Sequence, residues 1–246
     1  MSVSFEDLGA SRDQEAQRKR ILQLSQALRS APRAARDGFA QVARLFRAGR
    51  RARLAAEGTP ADRVFLLSSG RVRLERRTPS GKVVHLAHLG RGDFVGDLTL
   101  SGAAAGESAV VVEEVRGLSA SLEDLREFAA REHGLYLALG AAMMERSRAL
   151  EDRLEALLLR RVEARLAWLL LYSIERWGEE EAGGRVVIGT AIRHHEIASM
   201  IGTGREWVTM TLMRLRKRGI LDASGRRVVV LDIEALRSLA AGSALE

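Results

Sequence analysis

The chain contains no cysteine. That excludes disulfides, thiolate zinc sites and cysteine-held iron–sulfur clusters, and it fits the cytoplasmic location expected here. No apolar run approaches the roughly 20 residues that a membrane-spanning helix needs. The first twenty residues, MSVSFEDLGASRDQEAQRKR, hold no apolar segment of secretory type, so no membrane partner is expected. Lysine is scarce as well, with only Lys19, Lys82 and Lys217 among 39 basic residues. The net charge of +7 is therefore carried by arginine, and such basicity suits a polyanionic partner. Its placement says more than its size. Residues 205–227 hold seven basic side chains against two acidic ones, while elsewhere the signs are mixed.

Hydrophobic residues make up 46% of the 246, enough for two modest domains. Residues 1–36 are polar and charged apart from Ile21-Leu22-Gln23-Leu24. They read as a mobile, partly helical arm of no assigned function, followed by an amphipathic segment from Phe39 to Phe46. From Leu54 to Leu125 short apolar runs alternate with glycine turns. Val64–Leu67 ends at Ser69-Gly70, and Val72–Glu75 ends at Pro79-Ser80-Gly81. Val83–Leu86, the Gly90–Gly96 turn and Ala109–Val115 follow. Strands at this spacing predict a compact antiparallel barrel or sandwich.

Residues 135–161 contain no proline and no glycine after Gly140. Leu139, Met143, Leu150, Leu154 and Leu157 recur at helical spacing, which predicts a long amphipathic helix. An apolar stripe of this length needs a partner. A twin helix across a two-fold axis would cover it, so these five residues are the expected dimer interface. A second helix is expected over Val162–Trp177. After it come an acidic, glycine-ended break over Gly178–Gly184 and a strand over Arg185–Ile188.

Arg193 to Arg218 reads as a helix-turn-helix. Ala198 is small where two helices would cross, and Gly202 permits a left-handed turn. Ile197, Ile201, Val208, Leu212 and Leu215 supply the shared seam. The second helix would lie in the major groove with Arg205 and Glu206 at base edges. Arginine bonds bidentately to guanine, and glutamate accepts from cytosine. Trp207, Thr209, Arg214 and Lys217 are candidates for phosphate contact. Gly219 suits a C-terminal cap. Ile220-Leu221, the turn ending at Gly225 and Arg226–Leu231 then form a hairpin, with Asp232 capping a last helix over Ile233–Ala240. A helix-turn-helix with a hairpin is a winged module, and Arg226 and Arg227 on the wing would reach the DNA backbone.

From about residue 37 to 240 the chain resembles the cyclic-AMP receptor protein and FNR (Crp-Fnr) family of bacterial transcription regulators. Gly90-Arg91-Gly92-Asp93-Phe94-Val95-Gly96 followed by Asp97-Leu98-Thr99-Leu100 is similar to the family's turn and phosphate-cassette entry. Glu196-Ile197-Ala198 through Arg205-Glu206 and Val208 is similar to its recognition segment. The resemblance implies an α+β chain: polar arm 1–36, β-roll sensor 37–133, dimerisation helix and hinge 134–161, and winged helix-turn-helix 162–246. It also implies a homodimer on pseudo-palindromic DNA, with RNA polymerase as a further partner.

The departures point away from cyclic AMP bound in the usual way. The effector pocket that the resemblance places at Gly96, Asp97, Leu98, Glu107, Ser108, Ala109, Leu150 and Glu151 is degenerate. Asp97 stands for the glutamate that meets the ribose. Glu107-Ser108-Ala109 stands for an Arg-Ser-Ala stretch whose arginine holds the cyclic phosphate. Like charges about 3–4 Å apart repel by roughly 4 kcal/mol at an effective dielectric near 20. Leu150 and Glu151 replace the hydroxyls that hold the purine. Met210 stands where a second base-reading arginine often lies, and Thr211 replaces a seam aliphatic. An effector of another kind is left open.

No cofactor or metal is expected. His85 and His88, three apart on a strand, would point to opposite faces, and His194 and His195 lack metal-site spacing. A cupin-like enzyme would need more histidines in the barrel than these, so no enzymatic activity is expected. The remaining alternative is an effector-binding or scaffold protein whose winged helix contacts protein.

Overall fold

Apolar and polar residues alternate between glycines over the first half of the chain, and this part folds as a rolled antiparallel sheet. The computed structural model describes residues 3–5, 12–181, 185–188, 193–222 and 227–242. Chain contacts divide the protein into two compact units, Met1–Ser147 and Arg148–Glu246.

The first unit opens with β1 (Val3–Phe5), α1 (Arg12–Leu22), α2 (Gln26–Arg29) and α3 (Arg33–Val42). Strands β2 (Arg44–Ala48), β3 (Arg53–Ala55), β4 (Arg63–Arg77), β5 (Val83–Leu89), β6 (Phe94–Gly96) and β7 (Ser108–Ser121) follow, then α4 (Leu122–Arg131). The sheet runs β1-β2-β7-β4-β5, with β3 on β7 and β6 on β4. β4 and β7 span 15 and 14 residues and each serves two cores. Val64, Leu66, Leu118 and Ala120 pack with Leu28, Phe39 and Leu125 of the helices. Phe65, Leu67, Val72, Leu74, Val111 and Val115 fill the inside of the roll.

Gly70 sits at the middle of β4. The sequence suggested two strands with a turn at Ser69-Gly70, but β4 runs through as one strand whose register against β7 slips between Leu67 and Val72. Gly70 takes φ +80°, and a Cβ there would lie 1.9 Å from the carbonyl oxygen of Glu114. A left-handed residue inside a strand makes a bulge and a bend when a partner strand holds both sides.

Within the expected mobile, partly helical arm, the described residues from 12 on are helical and packed onto the roll. Ile21, Leu22, Leu28 and Ala35 are buried in the helical core of the roll, and Ser25 caps α2 by accepting from Leu28 N–H. Few apolar residues were needed, because the sheet supplies the opposing surface. The amphipathic segment expected from Phe39 to Phe46 divides between α3 and β2. The two strand histidines also differ from expectation. Leu74 pairs Ala87 while Glu75 pairs His85, so Leu86 is an inserted residue. His85 and His88 therefore oppose Glu75 and Arg73, which share one face, and both are buried.

The long helix α5 (Gly134–Leu159) starts in the first unit and ends in the second. It is followed by α6 (Val162–Trp177), β8 (Gly178–Glu181), β9 (Arg185–Ile188), α7 (His194–Ile201), α8 (Arg205–Lys217), β10 (Leu221–Asp222), β11 (Val228–Val230) and α9 (Ile233–Ala241). The second sheet has the order β10-β11-β9-β8. The segment expected as an acidic break begins as strand β8, which pairs with β9 and is exposed along its length. An edge strand needs apolar residues on neither face when both are solvated, which is why its pattern read as a loop. No described helix is long and apolar enough to cross a membrane.

Candidate nucleic-acid interface and sensor cavity

The turn between α7 and α8 is built as the sequence pattern requires. Gly202 ends α7 in the left-handed region at φ +65°. Ile197, Ala198, Ile201, Val208, Leu212 and Leu215 share one buried core with Leu166 and Leu170 of α6. Thr211 is buried beside them, so its methyl and hydroxyl take the place of a larger aliphatic. The Glu196 carboxylate accepts from Arg193 N–H at 3.2 Å and closes the first turn of α7.

Burial of Val208, Thr211, Leu212 and Leu215 fixes which face of α8 is presented to solvent. At 100° per residue, the opposite face carries Glu206, Met210, Met213 and Lys217, with Arg205 and Trp207 flanking its N-terminal end. All six are exposed. Glu206 and Arg205 thus stand at the helix N-terminus, where a groove-bound helix offers its first turn. The candidate phosphate contacts are less uniform. Thr209 Oγ1 donates to Arg205 O at 3.1 Å and lies 3.0 Å from His194 Nδ1, so its hydroxyl already ties α8 to α7. Arg214 lies 3.6 Å from Glu163, which also pairs with Arg218 at 2.9 Å. Arg227 is exposed at the start of the wing strand. Arg226 lies outside the described residues. The His194–Thr209 link escaped sequence reasoning because its members are 15 residues apart, with no spacing rule joining them.

In the first unit a cavity of about 290 Å³ is lined by Gly96, Asp97, Thr99, Glu107, Ala109 and Arg146, among others. Of the expected pocket residues, Gly96, Asp97, Glu107 and Ala109 face it. Leu98 turns into the helical core instead. Ser108 accepts from Glu57 N–H at 3.1 Å and lines a neighbouring cleft with Arg53 and Arg77. Leu150 and Glu151 belong to the other unit and are not among the lining residues.

Asp97 lines the cavity with its side chain already engaged by its own loop. Its carboxylate accepts from Thr99 N–H, Thr99 Oγ1, Ser101 Oγ and Gly102 N–H, at 2.5–2.9 Å. Burial pushes its pKa up, but these bonds together outweigh burial and hold the group below its ordinary value. Glu107 is paired with Arg146 of α5, and Arg76 lies 3.9 Å from its other oxygen. The expected uncompensated carboxylate is therefore neutralised from within the chain. Arg146 is 39 residues from Glu107, and no local pattern could have identified it.

The α5 stripe divides between two environments. Leu139 is buried in the core of the roll with Leu135 and Ala138, so it is not available to a partner in this structure. Met143, Leu150 and Leu154 are 42–56% exposed. Leu157 is half-buried, with its Cδ2 3.2 Å from where a Gly202 Cβ would sit.

Residues 44–132 match the cyclic nucleotide-binding domain family, and residues 164–239 match the Crp-like helix-turn-helix domain family. The CRP-like cAMP-activated global transcriptional regulator of Mycobacterium tuberculosis is 31% identical over 182 residues, covering 74% of this chain and 81% of that protein. The transcriptional regulator LdrP of Thermus thermophilus is 33% identical over 191 residues, covering 77% and 92%. In fold, FixK2 from Bradyrhizobium japonicum superposes with a TM-score of 0.72 at 24% identity, over 82% of this chain and all of that one. The chain belongs to the Crp-Fnr family and is a transcription regulator with a β-roll domain and a helix-turn-helix DNA-binding domain.

Proposed function

We propose that the protein acts without catalysis, as a homodimer on a pseudo-palindromic operator, with α8 in the major groove of each half-site. The observation that carries this reading is the exposed face of α8, which presents Arg205 and Glu206 at its first turn while the opposite face is locked into the α7 seam. Half-sites would be centred about 34 Å apart, one helical turn, or a multiple of it. Met210 and Met213 on the same face favour apolar contact over a second arginine–guanine pair, and a thymine methyl is the base-edge group that suits them. Lys217 and Arg227 supply backbone contacts, and RNA polymerase would be met from the DNA-bound dimer.

Selection of sites from random-sequence DNA tests the reading. Arg205→Ala is expected to cost about 1–3 kcal/mol at one base position and to relax preference there. Arg227→Ala is expected to weaken all sequences alike and to lower the salt slope by about 1. Unchanged preference after Arg205→Ala would remove α8 from the groove.

We further propose that cyclic AMP does not switch this protein in the usual way, although the mycobacterial relative is named for activation by it. Glu107 stands where the phosphate would need a cation, and Arg146 is already committed to it. Saturating cyclic AMP is expected to leave the affinity for the selected operator unchanged in a gel shift. A clear rise in affinity would overturn the proposal. Any effector of the cavity would be one that tolerates an internal ion pair at its wall.

A further inference from the structure

Helix α7 ends with four carbonyls that have no partner inside the helix, those of Ala198, Ser199, Met200 and Ile201. Each is met from outside the helix. Ala198 O accepts from Gly202 and Thr203 N–H, the latter at 3.0 Å. Arg153, near the end of α5, donates Nε to Met200 O at 3.0 Å and Nη2 to Ser199 O at 3.5 Å. Arg165, in the first turn of α6, donates Nη1 to Ile201 O at 3.3 Å and Nε to Arg160 O at 2.7 Å. One arginine therefore holds the end of α7 to α5, and the other holds it to the joint between α5 and α6. Burial disfavours the Arg153 charge, and the negative end of the α7 dipole offers compensation where the guanidinium sits.

We propose that Arg153 and Arg165 are positioning residues for sequence reading, which fix the α7–α8 turn so that Arg205 and Glu206 meet base edges in register. This rests on the assignment of α8 to the groove. Gly202 begins the turn, and Arg205 follows only three residues later. Movement at the end of α7 therefore passes directly to the first turn of α8. Base-edge hydrogen bonds are directional and fail with small displacements, whereas contacts to phosphate tolerate them. Loss of the clamp should thus remove discrimination and spare general affinity. A guanidinium holds two carbonyls in a fixed fork, while an ammonium acts as a point charge. Lysine should therefore restore part of the effect and methionine none.

The test compares Arg153→Met, Arg153→Lys and Arg165→Met in the full chain. Each is measured on a duplex enriched by the wild-type protein and on a scrambled duplex of the same length. Arg153→Met is expected to lower the ratio of the two affinities by about tenfold, as loss of one base-edge pair would, with binding to the scrambled duplex unchanged. Arg153→Lys should fall between it and the wild type. A ratio that stays at the wild-type value, or equal losses on both duplexes, would overturn the proposal.

Amide hydrogen exchange supplies a readout that needs no DNA and serves if Arg153→Met does not fold. In Arg153→Lys the Thr203 amide should exchange faster while amides of β9 keep the wild-type rate. Unchanged exchange at Thr203 would also overturn the clamp. If the wild-type protein enriches no site, the groove assignment fails, whereas the exchange measurement still judges the clamp by itself.

Discussion

Replacing both Leu150 and Leu154 with glutamate is expected to leave each protomer folded and to weaken operator binding by on the order of 10²–10⁴-fold. The side chains are 43% and 56% exposed, and neither belongs to a buried cluster among the described residues, so their loss costs little core. On α5, Tyr136, Gly140, Met143, Ser147, Leu150, Leu154 and Leu157 follow one another at intervals of four and three. That is the spacing of a seam between two supercoiled helices. Four carboxylates brought to such a seam would repel and would resist desolvation. Two half-sites joined in one dimer bind with the advantage of effective concentration, and a monomer loses that advantage without losing any contact within its half-site. Light scattering and gel shifts on the same preparation decide the matter. A dimer of undiminished affinity would place the interface elsewhere, and an unfolded chain would show that these leucines serve the protomer's own core.

The largest loss of stability is expected from Gly70→Ala. Two costs coincide there. A non-glycine residue at φ +80° costs roughly 1–2 kcal/mol, and the added methyl would meet backbone rather than a movable side chain, 1.9 Å from Glu114 O. Because β4 and β7 are paired on both sides of this point, relief requires two strands to move. The sum is expected to exceed about 3 kcal/mol, near the upper end for a single substitution. The melting temperature of the roll should fall by roughly 10 °C. Gly81→Ala is the control, since Gly81 has the same φ of +80° but no atom within 4 Å of an added Cβ. It should show only the conformational cost. Equal effects at the two positions would mean that the β4–β7 backbone yields more easily than its pairing suggests.

The C-terminal half was the more legible in the sequence, because its signals are local. The helix predicted over Val162–Trp177 and the strand over Arg185–Ile188 have those bounds in the structure. Asp232 caps α9 by accepting from Ala235 N–H at 2.9 Å, and Gly219 is left-handed just past α8. Caps, turn glycines and seam spacing each act within a few residues, so a sequence displays them directly. What was missed depends on partners far along the chain. Leu139 and Leu150 look alike on a helical wheel, and only the presence of the roll decides that the first is buried. A one-residue bulge at Leu86 reverses the parity that would have separated His85 from His88. The α1–α2 region carries too few apolar residues to announce its burial, and the sheet beneath it makes those few sufficient. At the candidate site, the exposed position of Arg205 and Glu206 in the first turn of α8 was legible from the turn that precedes them. The Arg146–Glu107 pair and the two arginines at the end of α7 were not.

The small sheet of the second unit has an acidic outer edge. Glu179, Glu180 and Glu181 form its outer rim on β8, and Arg227 stands at the start of β11, two strands away. A polyanion meeting this edge would be repelled, so an approach by way of β8 would be disfavoured before any base is touched. Such steering acts over about a Debye length, roughly 8 Å at physiological ionic strength, and it governs how often an encounter begins in a usable orientation. The same rim of carboxylates discourages a second sheet edge from pairing with β8. The strand that read as a mere acidic break would thus disfavour two kinds of encounter, with phosphate at this edge and with another sheet edge.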